Sequence, residues 1–391
     1  AAELLPASQS EVGRIHKYIA LAYAAKIKLY QAYQQDETTH AVTSINKELL
    51  REVVSLCDQV TASNRYGLLD DFQGLDLVAN ENGKESVFAI QYSMNDGTES
   101  AGRINWSNLL NSPGGGSPYG GDGFFLPSQD LINAYQTDAN GLPDFNYQSK
   151  SDYSWAVLNN GVYTLQNTTP NVDPRLDFVV GRPTITWKTY PDKPCEGWVR
   201  DKETYGYNCA KRFWVSPESS DMFNGWPWGA SQLNWQIIRY ADILLWKAEA
   251  LIELNEGNGL ETARDLINQI RNRARNSAYV KDFNDHSNYA ANYLVNPYPA
   301  DVWNQDYARQ ALRWETRLEK ALEGERFFDL VRWGIVETTM NKYITAESDN
   351  RIYYANAHFT GGKDEYYPVP NNQYGFSGGK YVQNPGYAPF N

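Results

Sequence analysis

RYADILLWKAEALIELN, residues 239–255, and LEKALEGERFFDLVRWG, residues 318–334, decide how this chain is read. Both are apolar at three- and four-residue spacing, the period of an α-helix. A helix that is apolar almost all round has to be buried against other helices. Each stretch nevertheless keeps charges at fixed places: Arg239, Asp242, Glu249 and Glu253 in the first, and Glu323, Arg326, Asp329 and Arg332 in the second. Buried charges need partners or a functional reason, because an uncompensated charge away from water is costly. The second set recurs at every third residue with alternating sign. That spacing predicts a structural ladder that pins a hairpin junction.

Outward from these stretches, helical spacing recurs along much of the chain. It runs from Glu11 to Ala32 through Ile15, Ile19, Ala22, Tyr23, Ile27 and Tyr30, and again through Val42, Ile45, Leu49, Leu50, Val53, Val54 and Leu56. ESVFAIQYS (85–93) reads as a short extended segment. The helical pattern resumes at Leu233, breaks at the EGNG turn, and continues in a partner helix from Leu260 to Ala274. A third pair spans Ala308 to Leu322 and Glu325 to Trp333, hinged at Gly324 and stopped at Gly334. The tail, 361–391, is rich in Gly, Tyr and Pro and is expected to be irregular. Paired helices repeating at roughly 34–45 residues have the size of tetratricopeptide-like hairpins. Such hairpins stack because none buries its apolar face alone.

Between the pairs lies a different kind of sequence. Residues 94–231 hold most of the Gly and Pro and little sustained period, with one short helix expected near Ser128 to Tyr135. The expected fold is therefore mainly α: tetratricopeptide-like helical hairpins as scaffold, with a large irregular loop-rich insertion carrying short strands and helices. Three parts follow, 1–93, 94–231 and 232–391, intertwined as one domain. An insertion of this size is unusual unless it carries function.

Composition narrows that function. A net charge of -12 over 391 residues excludes nucleic acid as a partner, which requires a basic face. No stretch approaches the roughly 18 apolar residues that would span a bilayer. The opening, AAELLPASQS, has no signal-peptide pattern, so a mature or truncated product is expected. Cys195 and Cys209 flank a 13-residue loop that a disulfide could close in an oxidising compartment, and Cys57 is expected to be a buried thiol. The outlier is aromatic content, 12 Trp and 28 Tyr. Trp106, Trp155, Trp187, Trp198, Trp214, Trp226, Trp228 and Trp235 all fall between residues 101 and 240. Each could be core filler under irregular loops. Exposed on loops, such rings grip flat apolar faces such as those of sugars.

The ordered motifs resemble the SusD/RagB family, surface glycan-binding lipoproteins of Bacteroidetes. Arg239-Tyr240-Ala241-Asp242 with Leu244, Leu245, Ala248, Glu249 and Ala250 looks like the family's RYADxLLxxAEA helix. Ile270-Arg271-Asn272-Arg273-Ala274 is similar to its IRxRA helix. Glu319, Ala321, Glu323, Gly324, Arg326, Asp329, Leu330, Arg332, Trp333 and Gly334 resemble its ELAFEGxRxxDLxRWG segment. Asp173-Pro174-Arg175-Leu176 resembles a DPRL turn, and Tyr367-Pro368-Val369-Pro370 with Asn384-Pro385-Gly386-Tyr387 resembles the closing motifs. Thr316, Leu318 and Lys320 depart from the pattern. The resemblance covers about Glu11 to Tyr387 and implies a missing N-terminal part that would carry a lipid anchor. It further implies a non-catalytic, cell-surface binder of oligosaccharide or polysaccharide. Such a protein would sit on the outer membrane and cap a SusC-like TonB-dependent transporter.

Catalytic and cofactor chemistry finds little support. GGGSPYGGDG (114–123) lacks the Gly-Lys-Ser/Thr ending of a phosphate loop and follows no convincing strand. The four His, at 16, 40, 286 and 358, lack metal-ligand spacing. No Gly-x-Ser-x-Gly nucleophile appears. No cofactor and no metal is expected. The candidate ligand residues are aromatics interleaved with amides: Trp226 and Trp228 in GWPWG, Trp198 after Glu196-Gly197, Trp106 with Asn105 in RINWSN, and Tyr119 in the glycine run. Two other functions stay open: a scaffold binding peptide or protein nutrient, and an α-helical glycoside hydrolase whose carboxylate pair would be visible only in space.

Overall fold

The computed structural model describes residues 2–98, 101–111, 113–154, 156–160, 162–165, 170–188 and 197–390. Among the described residues 38% are helical and 9% are strand. In chain order the helices are α1 (Lys17–Ala32), α2 (Lys47–Thr61), α3 (Gln129–Ala134), α4 (Arg175–Val179), α5 (Lys202–Tyr205), α6 (Tyr240–Leu254), α7 (Gly259–Asn276), α8 (Gln305–Glu319), α9 (Arg326–Arg332), α10 (Val336–Ser348) and α11 (Asn371–Phe376). The strands are β1 (Tyr33–Gln35), β2 (Val42–Ile45), β3 (Ser86–Ile90), β4 (Ala156–Asn159), β5 (Val162–Leu165), β6 (Val180–Gly181), β7 (Cys209–Ala210) and β8 (Trp235–Arg239). Among the described residues they form two-stranded antiparallel ribbons, β1–β2, β3–β8, β4–β5 and β6–β7.

Helix α6 is the axis of the scaffold, touching α1, α2, α7 and α8. Its first turn is closed by the Arg239 N–H donating to Asp242 Oδ2 at 2.7 Å. It ends at Asn255, which takes the left-handed conformation (φ 52°) that Asn tolerates better than most residues. One side meets α1, α2 and α9 through Leu29, Leu50, Val53, Ile243, Ala250 and Leu330. The other meets α7 and α8 through Leu244, Ala248, Ile267, Ile270 and Leu312. A third core, with Phe72, Tyr135, Leu176, Val180 and Ile185, joins the loop-rich region to Leu318 at the end of α8.

Several boundaries differ from the sequence expectation, each for a local reason. α1 begins at Lys17, leaving Glu11 to His16 outside the helix. The segment 42–45, with β-branched Val42, Thr43 and Ile45, pairs with β1, and α2 starts only at Lys47, where the Asn46 side chain accepts from the Glu48 and Leu49 N–H groups. Residues 235–239 pair with β3, so Ile237 belongs to a strand, and the helix starts at Tyr240. The tail is not wholly irregular, since it contains α11. The charge ladder is also not a single helix face. Glu323 lies before α9, beyond a break where Leu322 and Gly324 have φ of 66° and 87°. Asp329 pairs with Arg332 at 2.9 Å, whereas Arg326 donates to the Arg313 carbonyl and lies over the Trp333 ring.

Most charges of the opening stretches are satisfied from far away. Glu249 accepts from Tyr33 Oη (2.6 Å) and Trp333 Nε1 (2.8 Å) and pairs with Arg332, while Glu253 pairs with Arg309. Arg239 enters a larger assembly, in which ion pairs connect Asp76, Glu85, Asp173, Asp242, Glu315, Glu319 and Glu323 with Arg175, Lys188, Arg212, Arg239, Arg271, Arg273 and Lys320. Seven acids thus face seven bases, and the buried assembly is neutral. It clamps the loops around Asp76, Asp173 and Arg212 onto α6, α7 and α8.

Burial alone would raise the Glu319 carboxyl, but Arg273, Arg239 and Arg175 reverse that and hold it at about 2 against an ordinary 4.5. Glu323 is likewise held well below the carboxylate range by Arg239, Lys320 and Arg212 against the opposing effect of burial. A depressed carboxylate stabilises the fold fully above its unfolded-state value and loses that contribution as pH falls towards its folded-state value. The melting temperature is therefore expected to drop between pH 4.5 and about 2. Glu319 supplies roughly 3 kcal/mol of that loss. Thermal melts at stepped pH check it, and a flat profile across this window would contradict it.

Candidate ligand-binding site

Under the loops between the helical pairs sits a compact aromatic cluster of Tyr119, Trp187, Trp198 and Trp214, with Val199 and Cys209. Tyr119 is its hub: its ring centroid lies 5.2 Å from Trp214, 6.0 Å from Trp187 and 6.4 Å from Trp198. Its hydroxyl donates to the Val215 carbonyl at 2.6 Å and accepts from Trp187 Nε1 at 2.9 Å. Rings met edge-on or tilted, with the Tyr119 hydroxyl and the Trp187 Nε1 bonded to each other, make a stiff foundation.

The glycine run is explained by close backbone approach. A Cβ on Gly114 would collide with the Trp198 carbonyl oxygen, and one on Gly116 would meet that of Gly197 at 2.7 Å. Gly229, at φ +76°, lies so close to Tyr119 that a Cβ there would be 2.8 Å from its carbonyl oxygen. The Gly229→Ala change combines a left-handed backbone with a backbone clash and is expected to destabilise the fold by about 1–3 kcal/mol. Chemical denaturation measures this, and an unchanged midpoint would show that the two loops are not tightly apposed.

Above this foundation, residues 221–232 form a hairpin. Phe223 N–H donates to the Ala230 carbonyl (2.8 Å), Met222 bridges Ser231, and the Gln232 N–H and side chain bond Asp221. Its tip is Trp226-Pro227-Trp228, with a cis Trp226–Pro227 bond. Trp226 is 75% exposed and Trp228 59%, and the Trp228 Cβ lies against Gly120. Trp106, half exposed, is held by Nε1 donating to the Ala101 carbonyl at 3.0 Å. The neighbouring loop adds exposed Leu110, Phe124 and Phe125, tied together by the Phe124 N–H donating to the Leu110 carbonyl.

The six sequence candidates thus separate into two groups. Trp226, Trp228 and Trp106 present rings to solvent. Trp198, Tyr119 and Asn105 are buried, which corrects their expected role as direct contacts. Asn105 commits its whole amide to the fold: Nδ2 donates to the Leu233 carbonyl, and Oδ1 accepts from the Ser107 N–H and hydroxyl. With its own N–H on the Ser231 carbonyl, it fastens the Trp106 turn to the base of the Trp226 hairpin. Phe124 and Phe125 were not among the candidates. Their signal was an adjacent pair of large rings directly after a glycine run. The Cys195–Cys209 pairing lies outside the described residues, because Cys195 and Glu196 are not among them; Cys209 is buried. Trp155 likewise lies outside them.

Among the described residues, no group of His, Cys, Asp and Glu is placed to hold a metal ion, and no helix is long and apolar enough to cross a membrane. Asp221, in the hairpin, is engaged by Ser219 and Gln232, and Asp122 by Arg200.

Comparison with known proteins follows the same outline. The model of the SusD family matches residues 84–387. No curated protein matches the sequence. Among solved structures, a SusD superfamily protein from Bacteroides vulgatus is 21% identical with a TM-score of 0.59, over 95% of this chain and 63% of that one. A SusD-like carbohydrate binding protein from Bacteroides fragilis is 20% identical with a TM-score of 0.56, over 87% of this chain and 57% of that one. Surface glycan-binding protein A from Bacteroides thetaiotaomicron is 17% identical with a TM-score of 0.55, over 98% and 67%. The chain therefore spans about three fifths of the length of the solved structures it matches.

Proposed function

We propose that this chain, which belongs to the SusD family, binds an oligosaccharide or polysaccharide without cleaving it and delivers it for uptake. The carrying observation is the exposed Trp226–Trp228 tip, whose hairpin packs through Gly229 against Tyr119 of the buried aromatic cluster, with Trp106 exposed on a turn tied to the hairpin's base. A sugar ring has an apolar CH face that stacks on indole and a rim of hydroxyls that bonds polar neighbours. Rings already fixed before the ligand arrives reduce the ordering cost of binding. Two structural neighbours are described as carbohydrate- or glycan-binding, which supports the reading.

On this reading the helical pairs α1–α2, α6–α7 and α8–α9 are tetratricopeptide-like units of a scaffold, and residues 94–231 carry the ligand face. The whole protein would be lipid-anchored at the outer-membrane surface and partner a SusC-like TonB-dependent transporter. Affinity electrophoresis in gels containing laminarin, xyloglucan or starch tests the ligand claim. Retardation by at least one polysaccharide is the expected result. Unretarded migration in every gel, with retardation by a peptide matrix instead, would replace the glycan with a peptide nutrient.

A further inference from the structure

Three clefts adjoin one another along residues 69–84, 94–95 and 215–224. The first, of about 470 Å³, has Asp71, Gln73, Leu77, Asn80 and Lys84 among its walls. The second, of about 270 Å³, shares Asp76, Leu77 and Ser216 with the first and continues along Glu218 and Asp221. The third, of about 640 Å³, shares Glu218 and Ser219 with the second and runs past Asn95 and Phe223 to Asn224. Asn224 is followed by Gly225 and the Trp226-Pro227-Trp228 tip. The shared walls place the clefts in a row, hereafter the groove, from Lys84 to the base of the exposed tryptophans. Each cleft is near the size range of a small-ligand pocket, and together they exceed what a single sugar ring requires.

The groove's chemistry is specific. Leu77, half exposed at its middle, offers an apolar floor, Asn95 and Asn224 offer exposed amides, and Gln73 and Asn80, whose NH2 groups donate to the Ala278 and Gly74 carbonyls, offer amide oxygens. Its cations are already committed. Lys84 pairs with Asp70 at 2.9 Å, Lys188 pairs with Asp76 at 2.9 Å, and Lys211 donates to the Asp177 and Thr186 carbonyls. Glu218 is exposed and has no ion-pair partner among the described residues. An anionic sugar would meet unneutralised carboxylate here, whereas hydroxyls can donate to carboxylates in strong charge-assisted bonds.

Resting on the glycan-binding reading, we infer that this groove is a run of subsites for a neutral, extended oligosaccharide that starts on Trp226 and Trp228 and passes over Leu77 towards Lys84. Each further sugar is held as an intramolecular addition to the anchored end, so affinity grows with chain length until the groove is filled. The groove thereby selects for chain length and against uronic acids.

The test is calorimetry with laminari-, cello- and manno-oligosaccharide ladders from disaccharide to octasaccharide, with oligogalacturonates as the anionic set. The wild-type protein is expected to bind the octamer of its preferred ladder at least about tenfold more tightly than the dimer. Leu77→Ser, a change at a half-exposed side chain, removes most of that gain and leaves the dimer unaffected. Glu218→Arg, at an exposed position, gives oligogalacturonate a measurable affinity that the wild type lacks. Length-independent binding, a gain untouched by Leu77→Ser, or wild-type binding of oligogalacturonate overturns the groove while leaving the tryptophan site standing. Failure of every ladder to bind overturns the glycan reading itself.

Discussion

Replacing Glu319 with alanine is expected to destabilise the protein by about 3–5 kcal/mol, a large part of the margin that holds most domains folded. Glu319 is completely buried and pairs with Arg175, Arg239 and Arg273. Removing it leaves three guanidiniums with one fewer counter-charge, in a place where water cannot substitute. The loss is dominated by those stranded charges, not by the bonds themselves. Glu319→Gln keeps the shape and some hydrogen bonds but not the charge, so it should fall between wild type and alanine. A charge exchange on the exposed Lys84–Asp70 pair should cost under about 1 kcal/mol, because solvent screens it. Urea denaturation of the three variants would give this order, and a Glu319→Ala midpoint equal to wild type would mean that the buried assembly does not form.

The second large effect concerns binding. Trp226→Ala and Trp228→Ala are each expected to weaken glycan binding by about 10- to 100-fold, as centrally placed aromatic anchors commonly do. The double change should abolish detectable retardation in polysaccharide gels. Because both rings are largely exposed, melting temperature should move little. Tyr119→Ala makes the opposite pattern: it removes the hub of a buried cluster, so stability falls first and binding suffers only as the loops lose their support. A double tryptophan variant that binds as well as wild type would move the site elsewhere on the protein.

Much of the scaffold was legible in the sequence because helices carry a local period. The apolar spacing of 239–255 announced a buried helix, and α6 is largely buried, whereas 318–334 holds the end of α8, a turn and the short α9, whose Phe328 is exposed. The limits of those helices were less legible. Ile237 and Ile238 continue the apolar spacing of α6, yet they lie in a strand because Ser86–Ile90, some hundred and fifty residues earlier, offers a partner. The partners of the buried charges were illegible for the same reason. Arg239 meets Glu85, Glu319 and Glu323 from distant segments, and nothing in the local pattern names them. Glu323 looked like a member of the Arg326 face until the left-handed turn at Leu322 and Gly324 set it apart.

The aromatic residues teach a related lesson. Trp198 and Trp226 are alike in sequence, each beside a glycine on a loop. One is buried and the other is 75% exposed. Exposure is set by what packs above a ring, and here the covering chain is the 114–120 loop. The clue was in the glycines. Gly114 and Gly116 are required where backbone presses on 197–198, so the tryptophan between those strands of chain had to be inside. Trp226 and Trp228 instead crown a hairpin tip, and Trp228 leans on Gly120 through its Cβ.

The most direct test of the central claim is a crystal structure with an oligosaccharide bound from the best-retarding polysaccharide. The account predicts a sugar ring stacked on Trp226 or Trp228, with the next units entering the groove towards Leu77. A ligand ordered elsewhere, with both indoles still bare in solvent, would contradict it.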